Sequence, residues 1–336
     1  MERYLVTGGL GFIGSMFVRR LIEEGVAPIN VDIQTYAGDE RRLGDVPTRH
    51  ELVPVDIASE EFTSVVLEKR PSVIVHFAAE SHVTRSEIAS ELFYRTNVEG
   101  TRRVMEAAER VDADLVIHVS TDEVYGPCPG DPFKEDDKEP GEGLATSPYS
   151  KSKSLADDLA LDFADRVPVI LVRPTNCFGP WQHPEKAVPR WTTRALRGDR
   201  LPVWGDGGQV RDWMYVEDSC DAIALLIEKG EPGNVYNIAP ENSPRTNLEI
   251  AHAIAHAMGL SQDAVYLTEY DRPDHDRRYA IDASKIRSLG WNPIKGHEDR
   301  IDETVEWYQA NRWWWEPLVA DAESLYDDSL ARRMVP

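Results

Sequence analysis

Short apolar runs rich in Val, Ile and Leu recur through the first half of the chain. Between them lie stretches whose apolar residues return every three or four positions. RYLVTG (3–8), APINVD (27–32), HELVPVD (50–56), SVIVHFA (72–78), DLVIHVS (114–120) and VPVILVR (167–173) read as strands. SMFVRRLIEEG (15–25) sets Met16, Phe17, Leu21 and Ile22 at an approximately helical spacing and stops at Gly25. Residues 91–110 form a second long periodic segment. Strands alternating with helices predict right-handed βαβ units, hence an α/β protein built on a doubly wound parallel sheet. Residues 127–148, rich in Pro, Gly and acids, break the rhythm as a surface loop. Such a loop after a strand's carboxyl end is where sites of α/β folds are built. Beyond residue 180 the elements shorten and aromatic and Arg residues multiply, which predicts a smaller interleaved lobe. Residues 304–318 read as a helix with an aromatic end.

Composition narrows the function. The chain has 336 residues, 41% hydrophobic and 29% charged, an ordinary globular balance. Its formal net charge of −22, with no cluster of Lys and Arg, excludes a nucleic-acid binder. The same acidity accords with salt adaptation or with a GC-rich source. Cys128, Cys177 and Cys220 are far apart and odd in number, so neither a zinc site nor a disulfide framework is indicated, and no metal is expected. There is no apolar stretch of signal-peptide or membrane-spanning length. The expectation is a soluble cytoplasmic protein.

TGGLGFIGS (7–15) follows a predicted strand and opens a helix, with Gly8, Gly11 and Gly14 three apart. This is a variant of the dinucleotide fingerprint: a tight turn, a close approach to pyrophosphate, and close helix packing. The helix amino terminus then faces the phosphates. Asp32 ends the next strand where a ribose 2′-hydroxyl would be held. An acid there repels a 2′-phosphate, so NAD is expected rather than NADP.

A second candidate feature sits in HVSTDEVYG (118–126), where Thr121, Asp122 and Glu123 follow an apolar strand directly. Adjacent carboxylates there are costly unless solvated or used. YSKSK adds Tyr149 and Lys153, one helical turn apart on one face, where an ammonium favours the phenolate. Such a pair is common on surface helices; it gains meaning here by following a dinucleotide fingerprint and the strand ending in TDE.

Together these features resemble the extended short-chain dehydrogenase/reductase superfamily, and STDEVYG (120–126) is similar, residue for residue, to the segment of the dTDP-glucose 4,6-dehydratases. The likeness extends through TYAG (35–38), HFAAESHV (76–83), TNVEGT (96–101), SPYSKSK (147–153), PEK (184–186), GDGGQVRDWMYVED (205–218) and DRPDHDRRYAID (271–282). It implies a Rossmann NAD-binding domain over 1–175, rejoined by about 207–240, and a mainly nucleotide-sugar-binding domain over 176–336. It implies that Tyr149, helped by Thr121 and Lys153, takes the proton of a sugar 4-hydroxyl as hydride leaves C4. Glu123 then removes the C5 proton while a protonated Asp122 protonates the departing 6-hydroxyl, and hydride returns to C6. Like charges held together push one carboxyl pKa up, and desolvation pushes further.

The resemblance also assigns NAD contacts to Gly8, Gly11, Phe12, Ile13, Gly14, Asp32, Tyr36, Asp56, Ile57, Phe77, Ala78, Ala79, Ser81, Asn97, Tyr149 and Lys153. Nucleotide-sugar contacts fall to Ser81, Thr121, Asn176, Lys186, Arg211, Asn247, Arg272 and His275. A homodimer formed by helices near 92–110 and 150–165 is implied. The sequence departs from the family pattern at Cys177 and Phe178, at Thr84, and in the short segment DERRLGDVP, all bordering the pocket. Of Trp313, Trp314 and Trp315, packing of the terminal helix is expected for some and exposure for others. The alternative on the same fold is a nucleotide-sugar 4-epimerase or decarboxylase, and simple C4 inversion by an epimerase has no need of Asp122 and Glu123. An idle NAD-binding regulator should have lost Thr121, Tyr149 or Lys153, and all three are present.

Overall fold

The computed structural model describes residues 2–47, 50–241, 244–269, 275–293, 297–324 and 326. Its centre is a seven-stranded, wholly parallel sheet. The first half supplies β1 (Tyr4–Thr7), α1 (Phe12–Glu23), β2 (Ile29–Val31), β3 (Glu51–Val53), α2 (Glu60–Lys69) and β4 (Val73–His76). After α3 (Val83–Ile88) and α4 (Ser90–Tyr94), a π-helical turn at Arg95–Glu99 runs into α5 (Gly100–Arg110). Then come β5 (Leu115–Val119), α6 (Pro148–Asp162) and β6 (Val169–Pro174). All six predicted strands are present, each trimmed by a residue or more. The seventh, β11 (Val235–Ile238), pairs with β6 after the long helix α8 (Val216–Lys229).

The strand order is β11-β6-β5-β4-β1-β2-β3. The chain reverses direction across the sheet between β1 and β4, so ligand is expected at the carboxyl ends of those strands. Alternating strand residues divide the core. Val6, Val75, Ile117 and Val172 face α1 and α8, whereas Leu5, Ile74, Val116 and Leu171 face α2, α5 and α6. Each fully buried side chain of this size contributes about 1.5–3 kcal/mol, and so the register that aligns Leu5 with Ile74 is firmly specified.

Most of the remaining elements form a second cluster, while residues 281–291 return to the first core through Ile281, Ile286 and Trp291. Between β6 and α8 lie β7 (Cys177–Phe178), α7 (Ala187–Leu196), β8 (Leu201–Trp204), β9 (Val210–Asp212) and β10 (Met214–Tyr215). Downstream are β12 (Pro244–Thr246), α9 (Asn247–Ala257), β13 (Val265–Thr268), α10 (Ser284–Ser288), α11 (His297–Ala310) and α12 (Arg312–Trp315). Their two-stranded pairs, β7 with β10, β8 with β13 and β9 with β12, enclose Val188, Trp191, Ile250, Ile254, Ile301 and Val305. The tryptophan triplet divides by burial: Trp314 and Trp315 are fully buried, and Trp313 is 56% exposed. Trp314 Nε1 donates to Asp39 Oδ2 and Trp315 Nε1 to the Tyr308 carbonyl, which pins the terminal helix. No described helix is long and apolar enough to cross a membrane, and no metal-binding group of His, Cys, Asp or Glu occurs among the described residues.

Candidate active site

The glycine turn after β1 shows why side chains are missing there. Gly8 has φ +71°, and a Cβ on it would lie 2.6 Å from the Ala78 nitrogen; one on Gly14 would lie 2.2 Å from the Gly8 carbonyl oxygen. The turn is therefore pressed onto β4 and α1 at once. Gly11 caps α1 without a side-chain hydrogen bond, leaving the helix amino terminus to an anion. Asp32, past β2, accepts from Leu10 N at 3.0 Å and Gln34 N at 2.8 Å; burial pushes its pKa up, and these two amides oppose that rise.

Above this turn lies a cavity of about 470 Å³ lined by Gly8, Gly11, Asp32, Tyr36, Asp56, Ile57, Phe77, Ala78 and Ala79, among others. The elongated hollow, the uncapped helix and the acid beyond β2 fit a dinucleotide. Asn97 is placed differently. It is 1% exposed in the π-helical turn, where it exchanges hydrogen bonds with the Glu80 backbone and donates to Ser152 Oγ at 2.9 Å. It braces the wall from behind and does not line the cavity.

A second cavity, of about 260 Å³, shares Gly8, Gly11, Phe77 and Ala79 with the first. It adds Phe12, Ile13, Gly14, Ser81, Thr121, Glu123, Tyr149, Lys153, Thr175 and Asn176. Four strand ends converge here, although the residues span most of the first half of the sequence. Each is placed by local chemistry. Ser147 and Ser150 form a capping box and Pro148 occupies the first turn, so α6 starts where Tyr149 and Lys153 face the cavity. Thr121 caps a 3₁₀ turn (Asp122–Tyr125) by accepting from Glu123 N at 3.3 Å. That turn swings Glu123 to the cavity and tucks Asp122, 2% exposed, behind Thr121, Glu123 and Thr175.

Electrostatics separate the two carboxyls' surroundings. Burial and the neighbouring Glu123 raise the Asp122 pKa from 3.8 to about 7. Burial likewise lifts the Tyr149 phenol above its usual range, with Glu123 adding to the rise and the Thr121 side chain opposing it. Lys153 lies one turn along α6 from Tyr149. Its ammonium donates to the Val119 carbonyl at 2.9 Å, and burial lowers its own pKa to about 8, with Asp157 one turn further along α6 countering. Asp157 is fully buried and accepts from Arg173 Nε at 2.9 Å, and Arg173 Nη1 in turn donates to the Tyr125 hydroxyl at 2.7 Å.

A third cavity, about 200 Å³, continues the furrow past Ser81, Glu123 and Asn176 to Lys186, Arg211, Asn247, His275, Tyr279 and Tyr326. Arg211 is fixed by donation to the Val210 and Asp276 carbonyls and lies 4.0 Å over the Tyr279 ring. Lys186 Nζ donates to Ser81 O at 3.0 Å. Arg272 lies outside the described residues. Ser120 Oγ, Asn176 Oδ1 and Gln182 Oε1 are buried without hydrogen-bond partners along the second cavity. Buried polar atoms of this kind call for a ligand rich in hydroxyls or phosphate oxygens. The departures from the family pattern, Thr84 and Cys177, both line the third cavity.

Sequence reasoning passed over three residues. Thr175 bonds Asp122 and the Asp212 carbonyl. Arg42, 1% exposed, donates to the carbonyls of Leu10, Ala37 and Trp181, tying the glycine turn to the loop after β2. Glu185, also buried, accepts from Tyr36 and Arg85. Only Glu185 carried a signal, inside PEK; a lone Arg or Thr in a loop has none.

The profile of the NAD dependent epimerase/dehydratase family matches residues 4–239. The chain is 43% identical to the low-salt glycan biosynthesis protein Agl12 of Haloferax volcanii, with 90% of this chain and 97% of that one covered. It is 40% identical to a dTDP-glucose 4,6-dehydratase of Xanthomonas campestris, over 94% and 95% of the two chains. The crystal structure of DesIV, a dTDP-glucose 4,6-dehydratase from Streptomyces venezuelae with NAD bound, superposes with a TM-score of 0.88 at 39% identity, covering 94% of this chain and 99% of that one. A profile spanning most of the chain, and relatives of this identity along nearly its whole length, show that the chain belongs to the NAD dependent epimerase/dehydratase family, among the dTDP-glucose 4,6-dehydratases.

Proposed function

We propose that the protein dehydrates a nucleotide-activated glucose, dTDP-glucose in the first instance, to the 4-keto-6-deoxy sugar. The observation that carries this reading is the pair Asp122 and Glu123, one held toward its acid form behind the cavity and the other facing it. Simple inversion at C4 uses neither. When bound, NAD would accept the hydride from C4, supply a positive charge, and give the hydride back to C6 after water has left. Tyr149 takes the proton of the 4-hydroxyl, helped by Thr121 and Lys153. The ketone so formed acidifies the C5 hydrogen. Glu123 removes that proton and Asp122 protonates the departing 6-hydroxyl, the proton pair that expels water. Reprotonation at C5 from Glu123 completes the product.

The furrow divides by task in this reading. Gly8 to Gly14, Asp32, Tyr36, Asp56, Ile57, and Phe77 to Ala79 hold NAD. Ser81, Asn176, Lys186, Arg211, Asn247, Arg272 and His275 hold the sugar nucleotide, Arg211 and Lys186 neutralising its diphosphate. Residues 1–175 with about 207–240 form the NAD-binding domain, and the rest of 176–336 is mainly the sugar-nucleotide domain. Three free cysteines support a place in the reducing cytoplasm.

The test is turnover of dTDP-glucose in heavy water followed by NMR. A 4-keto-6-deoxy product carrying deuterium at C5 is expected. Appearance of dTDP-galactose without solvent label would sink the reading in favour of an epimerase. We also infer a homodimer joined through the α4–α5 and α6 helices, a reading supported by the exposed Leu92 near that face. Sedimentation should give twice the 37.9 kDa chain mass; a monomer at micromolar concentration would remove it.

A further inference from the structure

Two hydroxyls reach Asp122, and the proton count on one of them decides which form of the acid the site favours. Thr175, directly after β6, places Oγ1 2.9 Å from Asp122 Oδ2 and 2.7 Å from the Asp212 carbonyl oxygen. A hydroxyl has one proton to give, and a carbonyl oxygen only accepts. With Asp122 protonated both contacts are satisfied: Thr175 gives its one proton to the Asp212 carbonyl, and the carboxyl gives its own to Thr175. An ionised Asp122 would instead compete with the Asp212 carbonyl for a single proton, and one of them would go without. Asp122 is 2% and Thr175 3% exposed, so water does not readily make up that loss.

We propose that Thr175, backed by the Asp212 main-chain carbonyl, is a positioning residue that keeps Asp122 in its acid form ready to protonate the leaving 6-hydroxyl. The proposal deepens the dehydratase reading and rests on it. As the C5–H bond breaks, its proton passes to Glu123 and its electron pair forms the C5–C6 double bond. The C6–O bond breaks, and the Asp122 proton joins the departing oxygen as water. Asp122 is left as a carboxylate and regains its proton from solvent before the next cycle.

The charged and titratable groups facing Asp122 come from four elements. Glu123 shares its turn, Arg211 and Asp212 come from β9, Tyr149 from α6 and Cys177 from β7. The Glu123 and Asp212 carboxylates favour the acid form; a Thr175 hydroxyl that donates to an ionised Asp122 opposes it, as does Arg211. Thr121 Oγ1, at 3.3 Å from Oδ1, donates weakly to the other oxygen, an arrangement compatible with a proton on Oδ2. Thr175 is the one neighbour whose hydrogen-bond geometry selects between the two forms.

The experiment compares wild type, Thr175→Val and Thr175→Ser by the pH dependence of elimination, with reduced NAD followed by its absorbance. Valine keeps the shape and removes the hydroxyl. Its alkaline limb is expected to move down by about one pH unit, a tenfold loss at pH 8, while oxidation at C4 persists and reduced NAD accumulates. Near pH 5.5 the valine variant should approach wild type, and serine should restore the wild-type limb. A limb that stays in place or moves up, or a loss equal at all pH values, overturns the proposal. Should the valine variant not fold, infrared difference spectra of wild type against Asp122→Asn at pH 6.5 decide instead. A protonated carboxyl band supports the proposal and a carboxylate band alone overturns it. If wild type itself yields no 4-keto-6-deoxy sugar, the functional reading has failed; wild-type turnover with an unmoved limb in valine removes only the role of Thr175.

Discussion

Replacing Glu123 with glutamine is expected to leave the protein able to oxidise its sugar at C4 and unable to go further. The side chain lines both inner cavities, and the turn that carries it is held through its backbone, the Glu123 N–H donating to Thr121 Oγ1 and the Gly126 N–H to the Glu123 carbonyl. An amide of the same shape keeps that turn, so folding should be unaffected. Removing a positioned general base slows proton transfer by about 10²–10⁴-fold. Reduced NAD should therefore build up on adding dTDP-glucose, and C5 should take up no deuterium. The first half-reaction should also respond. Glu123 is the largest contributor after burial to the raised phenol pKa of Tyr149. With that charge gone, oxidation should persist to lower pH than in wild type. Product formation at an undiminished rate would reduce Glu123 to a turn carboxylate.

The sheet was legible because its signals are local. Six apolar runs, a glycine turn and helix-starting serines each lie within a few residues of the structure they dictate. The carboxyl-end rule then gathers Gly8, Asp32, Phe77, Thr121 and Asn176 at one rim without any knowledge of contacts. What the sequence hid are partnerships across the chain. Thr175 meets Asp122 from 53 residues away and the Asp212 carbonyl from 37. Arg42 reaches the Trp181 carbonyl across 139 residues. Neither has a periodicity or a spacing to betray it. β11 was hidden for another reason: its four residues follow a long helix, and only pairing with β6 identifies them as an edge strand. The tyrosine–lysine pair shows what a local signal leaves out. Its one-turn spacing is a true signal of shared face, yet spacing says nothing of burial. In this structure burial, with Glu123, Asp122 and Asp157, raises the phenol pKa, and the Lys153 ammonium bonds a strand carbonyl.

Asp122→Asn should make the protein more stable at pH 8 while stopping elimination. The wild-type carboxyl has its pKa raised from 3.8 to about 7 by burial and by Glu123. A raised acid pKa means that the folded state binds this proton more tightly than the unfolded chain. The stability associated with the proton is fully present below about pH 4 and is lost as pH rises through about 7. Above that, the fold carries a buried charge, disfavoured by up to about 4 kcal/mol, three pKa units at about 1.4 kcal/mol each. Asparagine is neutral at every pH, matches the carboxyl in shape, and can donate an N–H to Thr175 as the protonated acid does. Paired melting curves should thus show the variant above wild type at pH 8, the gap narrowing through pH 6 and closing near pH 4. Equal or lower stability at pH 8 would mean that the fold accommodates the Asp122 carboxylate, and the acid role assigned to it would lose its physical basis. The expected result would place the strain of this site on the one group whose proton the elimination consumes: stability given up above neutral pH to keep an acid where water must leave.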